Sequence, residues 1–145
     1  MSSVFFEIMS AVRDRVNALP KANNCVIRKR PILLQEDSLP VIIISPGQEQ
    51  VAEEAFQNTV VYNYSIEISI IQAGNRVYEA DVATLFDLRQ SIRNVLFQPL
   101  LDGAVTVYDC QLETNPAFEV VTGQASNYDI SGMVITYKSI ETRIS

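Results

Sequence analysis

The feature that most constrains the fold of this chain is a long alternating stretch followed directly by a helical stretch, between Val60 and Phe97. From Val60 to Ile70 every second residue is apolar or aromatic, and polar residues lie between them from Asn63 onward. The alternating positions are Val60, Tyr62, Tyr64, Ile66, Ile68 and Ile70. Because successive side chains of a strand point to opposite faces, this pattern predicts a strand with one covered face and one wetter face.

A helix is predicted after the turn residues at 72–75. From Glu79 the apolar residues adopt helical spacing and form one stripe, made of Val82, Leu85, Leu88, Ile92, Val95 and Leu96. Polar residues fall on the opposite side, so this helix is expected to bury one side on a sheet. A similar pattern from Phe5 to Leu19 predicts a first helix, which Ser2 or Ser3 can cap and Pro20 limits.

Two further segments precede the central strand. Cys25–Ile27 begins a short strand, and the near-continuous apolar run within Pro40–Gly47 predicts a strand buried on both faces. The segment Gln48–Asn58 is polar and acidic, with little apolar content. We expect it to form a loop or a single helical turn.

The last third of the chain has strand character throughout. Val105–Leu112 and Phe118–Val121 read as short strands, and residues 122–127 form a loop of small residues. The last strand, Tyr128–Ser139, changes its apolar side near Gly132. Either a bulge at Gly132 or burial of both faces accounts for this change.

The predicted order is helix, two or three strands, helix, two or three strands. Segregated helices and strands that hairpins can join indicate a single α+β domain over residues 1–145. Its sheet is expected to be antiparallel or mixed, with the two main helices packed on one face. Strictly alternating β-α units are missing from the pattern, which disfavours a doubly wound nucleotide-binding fold.

Charge is unevenly distributed along a chain whose net charge is −6. No Lys or Arg occurs from Pro31 to Asn75 or from Asn94 to Tyr137, and these two stretches carry most of the carboxylates. The cations gather in the two helices and in the cluster Arg28, Lys29 and Arg30. Because a nucleic-acid binder needs cations on its working face, this distribution disfavours gripping DNA, although it does not prevent DNA from passing.

The sequence offers no constellation of residues for catalysis. Histidine is absent, and Cys25 and Cys110 have no metal or redox spacing, so we interpret them as small buried hydrophobes. The five glycines match neither phosphate-binding fingerprint, and no run has the spaced carboxylates of a calcium loop. We therefore predict no catalytic, cofactor-binding or metal site, and no enzymatic activity.

Membrane insertion and secretion are also not expected. The longest uninterrupted aliphatic run, Val41–Ile44, is far too short for a membrane span. The amino-terminal segment carries Glu7, Arg13 and Asp14 within an amphipathic pattern, unlike a secretory signal. We expect a soluble, cytoplasmic product.

The order and length of these elements carry a resemblance to a known family. A first helix is followed by the strand around Leu39–Ile42, which leads into Pro46–Glu49. The long strand Tyr62–Ile70 then leads through a loop to the helix Asp81–Phe97 and to terminal strands. Over nearly its full length the chain resembles the tail terminator, or tail completion, proteins of tailed bacteriophages.

The resemblance implies a structural protein of the virion, made in the bacterial cytoplasm and located at the neck of the tail. Such proteins form a hexameric ring that caps the tail tube, stops its polymerisation and joins it to the head connector. The partners implied are further copies of the chain, the tail tube protein and the head connector or neck protein. DNA would pass through the bore without specific binding, and no cofactor or membrane is implied.

Charge and expected exposure select eight candidate partner contacts. They are Arg28, Lys29, Arg30, Glu49, Glu53, Glu54, Gly123 and Asn127. A solvated surface remains the alternative for each of them, and for the cation cluster we also consider protection of a strand edge.

Two alternatives to a tail terminator remain open. One is another neck or connector component of a virion, including one that caps a contractile sheath. The other is a small ligand-binding domain or enzyme whose site the motifs do not reveal.

Overall fold

The computed structural model describes residues 3–20, 22, 24–56, 58–74, 78–99, 101, 103–104, 106–112, 120–122 and 128–142. The fold is α+β, as predicted. In chain order its elements are α1 (Val4–Asn17), β1 (Cys25–Ile27), β2 (Val41–Phe56), β3 (Thr59–Ala73), α2 (Glu79–Leu96), β4 (Val107–Leu112), β5 (Val120–Thr122) and β6 (Tyr128–Thr142).

The strands form one mixed sheet in the order β1-β2-β3-β6-β4, and β5 pairs with β6 beside this path. Strand β1 runs parallel to β2, and all other pairs are antiparallel. The central pair is β3 and β6, whose register runs without a shift from Thr59 opposite Thr142 to Ala73 opposite Tyr128. The alternating stretch therefore lies at the middle of the sheet, where both of its edges are paired.

Both helices pack on one face of the sheet and enclose the main core, which confirms the predicted arrangement. The alternating residues of β3 supply its centre, because Ile66 and Ile68 are fully buried there. The fully buried side chains of the helices and of β6 in this core are Ile8, Val12, Val16, Ile92, Leu96, Ile135 and Tyr137.

The two helices begin where local hydrogen bonds satisfy their first backbone groups. The Ser3 hydroxyl accepts from the Phe6 backbone N–H at 3.1 Å, as expected for a helix cap. At the start of α2, the Tyr78 backbone N–H donates to Oδ2 of Asp81 at 3.1 Å. These local bonds fix the residues at which the two amphipathic helices begin.

The opposite face of the sheet has a smaller apolar cluster at one end. Val41, Ile43 and Ile71 are fully buried there, although no helix of the described residues covers this face. The partly buried residues packed against them are Val26, Leu33, Tyr128 and Ile130. The first part of β2 is thus buried on both faces, as its continuous apolar run predicted.

The change of apolar side in β6 follows from the same division of the sheet. Ile130 belongs to the small cluster, whereas Met133 and Ile135 belong to the main core. The register between β3 and β6 continues without a shift through Gly132. Of the two explanations offered by the sequence, burial of both faces is therefore correct and the bulge at Gly132 is wrong.

The segment Gln48–Asn58 differs from the prediction of a loop or helical turn. Strand β2 continues through it to Phe56 and pairs with β3, with register shifts between Pro46 and Glu49, between Val51 and Glu53, and between Glu53 and Phe56. Pro46 is tolerated because β1 ends opposite Ile44, which leaves the outer edge of β2 unpaired from there onward.

Gly47 lies at the first of these shifts in β2. A Cβ at this position would come within 2.9 Å of the Ser65 carbonyl oxygen, so a larger residue would push the two strands apart.

The two cysteines are free, and the sheet order separates them. Cys25 is buried in β1 and Cys110 is partly buried in β4, at opposite ends of the strand order. A bridge between them would require neighbouring strands. This confirms Cys25 as a small buried hydrophobe.

Candidate assembly surfaces

The segment after β1 is anchored by a partly buried ion pair that the sequence does not reveal. The Arg28 guanidinium donates to both carboxylate oxygens of Asp37, at 2.5 and 2.6 Å, and to the Ile32 carbonyl at 2.8 Å. The Leu34 backbone N–H also donates to Asp37, at 2.8 Å. Arg28 therefore closes the loop internally, and its charge is neutralised within the chain.

Electrostatics at this pair favours both charged forms. The hydrogen bonds from Arg28, followed by the one from Leu34, lower the pKa of Asp37 to about 2. The hydrogen bonds that Arg28 donates to Asp37 raise the pKa of Arg28. The loop consequently keeps its shape across the whole range of neutral and mildly acidic pH.

Lys29 and Arg30, in contrast, point their charges outward. Both are exposed, and neither takes part in an ion pair among the described residues. Large apolar side chains follow them, since Ile32 is 51% exposed and Leu34 is 42% exposed. We call these four residues, Lys29, Arg30, Ile32 and Leu34, the cationic loop.

The acidic candidates lie on the extended part of β2. Glu49 is exposed and pairs in register with Tyr64, and the exposed Val51 follows two residues later. Glu53 and Glu54 belong to the same strand, but their side chains lie outside the described part of the structure. Gly123 and Asn127 also lie outside the described residues.

A buried phenol lies beside Glu49 on the helix-bearing face. The Tyr64 hydroxyl donates to Oε2 of Glu141 at 2.5 Å, and its ring packs against Phe5 at 5.0 Å between centroids. Burial, and then the Glu141 carboxylate, raise the pKa of Tyr64 well above its ordinary value. The hydrogen bond joins the interior of β3 to the end of β6, and the ring contact joins β3 to the start of α1.

A second exposed apolar surface lies on α2. Tyr78 is 75% exposed, and Val82 and Phe86 are each nearly half exposed. Together with the exposed Glu79 they form a continuous strip along the amino-terminal half of the helix, which we call the α2 flank. Sequence analysis assigned Val82 to the core stripe, and this assignment is wrong because Val82 is exposed and the side of α2 that packs on the core begins at Leu85.

Arg89, one of the cations that gather in the two helices, is buried. Only 8% of it is exposed, and its guanidinium donates to the Ser131 hydroxyl at 2.7 Å and to the Gly132 carbonyl at 2.9 Å. Burial, and then the nearby Arg93, lower its pKa. Arg89 fixes α2 to β6, and no pattern of apolar residues distinguishes it from an exposed arginine.

The described residues contain two shallow grooves. One, of about 190 Å³, lies between Leu39, Pro40 and the start of α2. The other, of about 200 Å³, lies between Leu19 and Pro20 on one side and Asp87, Leu88 and Ser91 on the other. Both are lined mainly by apolar atoms and open to solvent.

The described residues contain neither a candidate metal cluster nor a candidate membrane-spanning helix. No group of three or more carboxylate or thiol side chains there has the arrangement of a metal site. No helix there has the length and apolar character required to cross a membrane.

Comparison with known proteins gives a likeness of fold. No protein-family model and no curated protein matches the chain. Among solved structures, the chain is similar to one from the "Virion of native gene transfer agent (GTA) particle", with a TM-score of 0.60 and 11% sequence identity. The superposition covers 97% of this chain and 100% of that chain. The two chains thus share a fold over their whole lengths, although few of their residues are the same.

Proposed function

We propose that the protein is a structural, non-enzymatic component of a phage-like virion, and specifically the tail terminator. It would form a ring, most simply a hexamer, that caps the tail tube, stops its polymerisation and joins it to the head connector. The observation that carries this proposal is the end-to-end likeness of fold to a virion chain. It agrees with the order of elements that resembles tail terminators.

The surface of the subunit supports an assembly role. Exposed apolar side chains occur on the cationic loop and on the α2 flank, and such patches mark interfaces between proteins. The two surfaces differ from each other, and a head-to-tail contact between different patches generates rings when the rotation closes. A single domain with two unlike contact surfaces suits this form of assembly.

The charge of the subunit supports passage of DNA. The chain has a net charge of −6, and most of its carboxylates belong to stretches without cations. A bore lined by such surface would not retain phosphates, since binding to DNA depends on cations that replace counterions. We therefore propose that the tail tube protein, the head connector or neck protein and other copies of the chain are its partners, with synthesis in the host cytoplasm.

Deletion of the gene in the producing phage tests the proposal. Without a terminator, tube polymerisation is not stopped, so electron micrographs should show tails of irregular or excessive length that lack heads. The same gene supplied in trans should restore normal tails and infectivity, and serves as the control.

The other outcomes of this deletion discriminate between roles. Tails of normal length that fail to join heads would indicate another neck or connector component. Tails of normal length that attach to heads would exclude termination, and intact infectious particles would refute a structural role in the virion.

A further inference from the structure

The cationic loop lies beside one edge of the sheet. Strand β1 is the first in the strand order, and the backbone N–H of Arg28, the residue after β1, donates to the Ile44 carbonyl at 2.9 Å. Leu33, inside the loop, packs on the small apolar cluster of the helix-free face. The loop thus projects from the β1 and β2 side of the subunit, and the Arg28–Asp37 pair holds it there.

The α2 flank is a separate surface of the subunit. Arg89 holds α2 over β6, three strands away from β1. Ser91 faces α1, because it lines the groove formed with Leu19 and Pro20. Val82 precedes Ser91 by about two and a half helical turns, so it projects away from α1. The flank therefore faces away from the end of α1, whereas the opposite side of the start of α2 lies beside Leu39 and Pro40.

The two surfaces are complementary in charge. Arg28 is neutralised by Asp37, and Lys29 and Arg30 are exposed beside this pair, so with Glu36 counted the segment between β1 and β2 keeps a net positive charge. The α2 flank carries the carboxylate of Glu79, and no lysine or arginine occurs in α2 before Arg89.

The two surfaces also match in their apolar character. Ile32 and Leu34 flank the loop cations, and Tyr78, Val82 and Phe86 flank Glu79. An interface needs such an apolar centre with a polar rim, and complementary charges set its register.

We propose that the cationic loop of one copy docks on the α2 flank of the next copy. Lys29 and Arg30 face Glu79 across this contact, while Ile32 and Leu34 pack against Val82 and Phe86. Because loop and flank are different patches of one subunit, the contact is head-to-tail, and its repetition gives a ring when the rotation between copies closes. The inference rests on the proposed function, to which it adds the surfaces that join neighbouring copies.

Charge exchange between the two surfaces tests the contact. The variants are K29E/R30E and E79K, each measured by sedimentation velocity over a range of protein concentrations. Each variant should weaken self-association at least about tenfold, because it places like charges opposite each other. A chain that carries all three substitutions restores opposite charges and should assemble again, as should a mixture of the two variants.

The matched control is D87K, which makes the same charge change as E79K on the α1 side of the same helix. It should assemble like the unchanged protein. Circular dichroism of every variant verifies folding, and recovery of assembly in the triple substitution excludes misfolding as the cause of the losses. Assembly of the unchanged protein should also weaken at high salt, where charges are screened.

Results that overturn the contact differ from those that overturn the proposed function. If K29E/R30E and E79K assemble like the unchanged protein, or if the triple substitution does not recover, the contact is wrong and the terminator role is untouched. A chain that stays monomeric at every concentration also refutes the contact. The terminator role itself is decided by the tail lengths in the deletion phage.

Discussion

The ion pair that anchors the cationic loop gives the sharpest quantitative prediction. Substitution of Asp37 by Asn keeps the shape of the side chain but removes the charge that accepts two hydrogen bonds from Arg28. The folded protein lowers the pKa of Asp37 from 3.8 to about 2. This difference corresponds to about 2 kcal/mol of stability at pH 7, which we expect D37N to lose.

The loss should depend on pH in a defined direction. Because the pKa of Asp37 is lower in the folded than in the unfolded chain, its carboxylate stabilises the fold fully above about pH 5. This contribution is lost as the pH falls towards about 2, where the side chain becomes protonated in both states. The difference in unfolding free energy between D37N and the unchanged protein should therefore shrink in acid.

Urea unfolding followed by circular dichroism at pH 7 and at pH 3 measures both effects. The control is E36Q, which removes the charge of the exposed neighbour and should change stability by less than about 0.5 kcal/mol. A double-mutant cycle of D37N with R28M should give a coupling energy of similar size to the loss. Equal stability of D37N and the unchanged protein at pH 7, or a difference that does not shrink in acid, would refute the reasoning.

Three further predictions concern the core. Y137F should cost about 1–2 kcal/mol in urea unfolding, because the buried hydroxyl donates to the Leu96 carbonyl at 2.8 Å; unchanged stability would contradict this. I68A should cost about 2–5 kcal/mol, whereas E67A, next to it on the open face, should cost less than about 0.5 kcal/mol; equal losses would refute the assignment of faces. Burial raises the pKa of Cys25 to about 12, so a thiol reagent at pH 8 should modify Cys25 only in urea. Rapid modification of Cys25 in the native protein would disprove its burial.

The elements with a strong periodic signal could be predicted from the sequence. The alternation within β3 and the apolar stripes of both helices decide which side faces the core, and both depend on local spacing. The helix-bearing face of the sheet follows from these patterns. The burial of Val41–Ile44 on both faces followed from its uninterrupted apolar run.

The remaining features depend on contacts between distant residues. Residues 48–56 have weak strand character, and they are extended because β3 offers them a partner along its whole length. The burial of Arg89 depends on Ser131 and Gly132 in β6, and the pairing of the partly buried Arg28 depends on Asp37 across a loop. Charge alone could not distinguish these two arginines from the exposed Lys29 and Arg30.

The irregular outer edge of β2 has a consequence for the protein at high concentration. Pro46 lacks an N–H group there, and three shifts of register follow within eleven residues. Such an edge is a poor template for a continuous ladder with the same strand of another copy. This edge of the folded protein is therefore protected from growth into cross-β fibres.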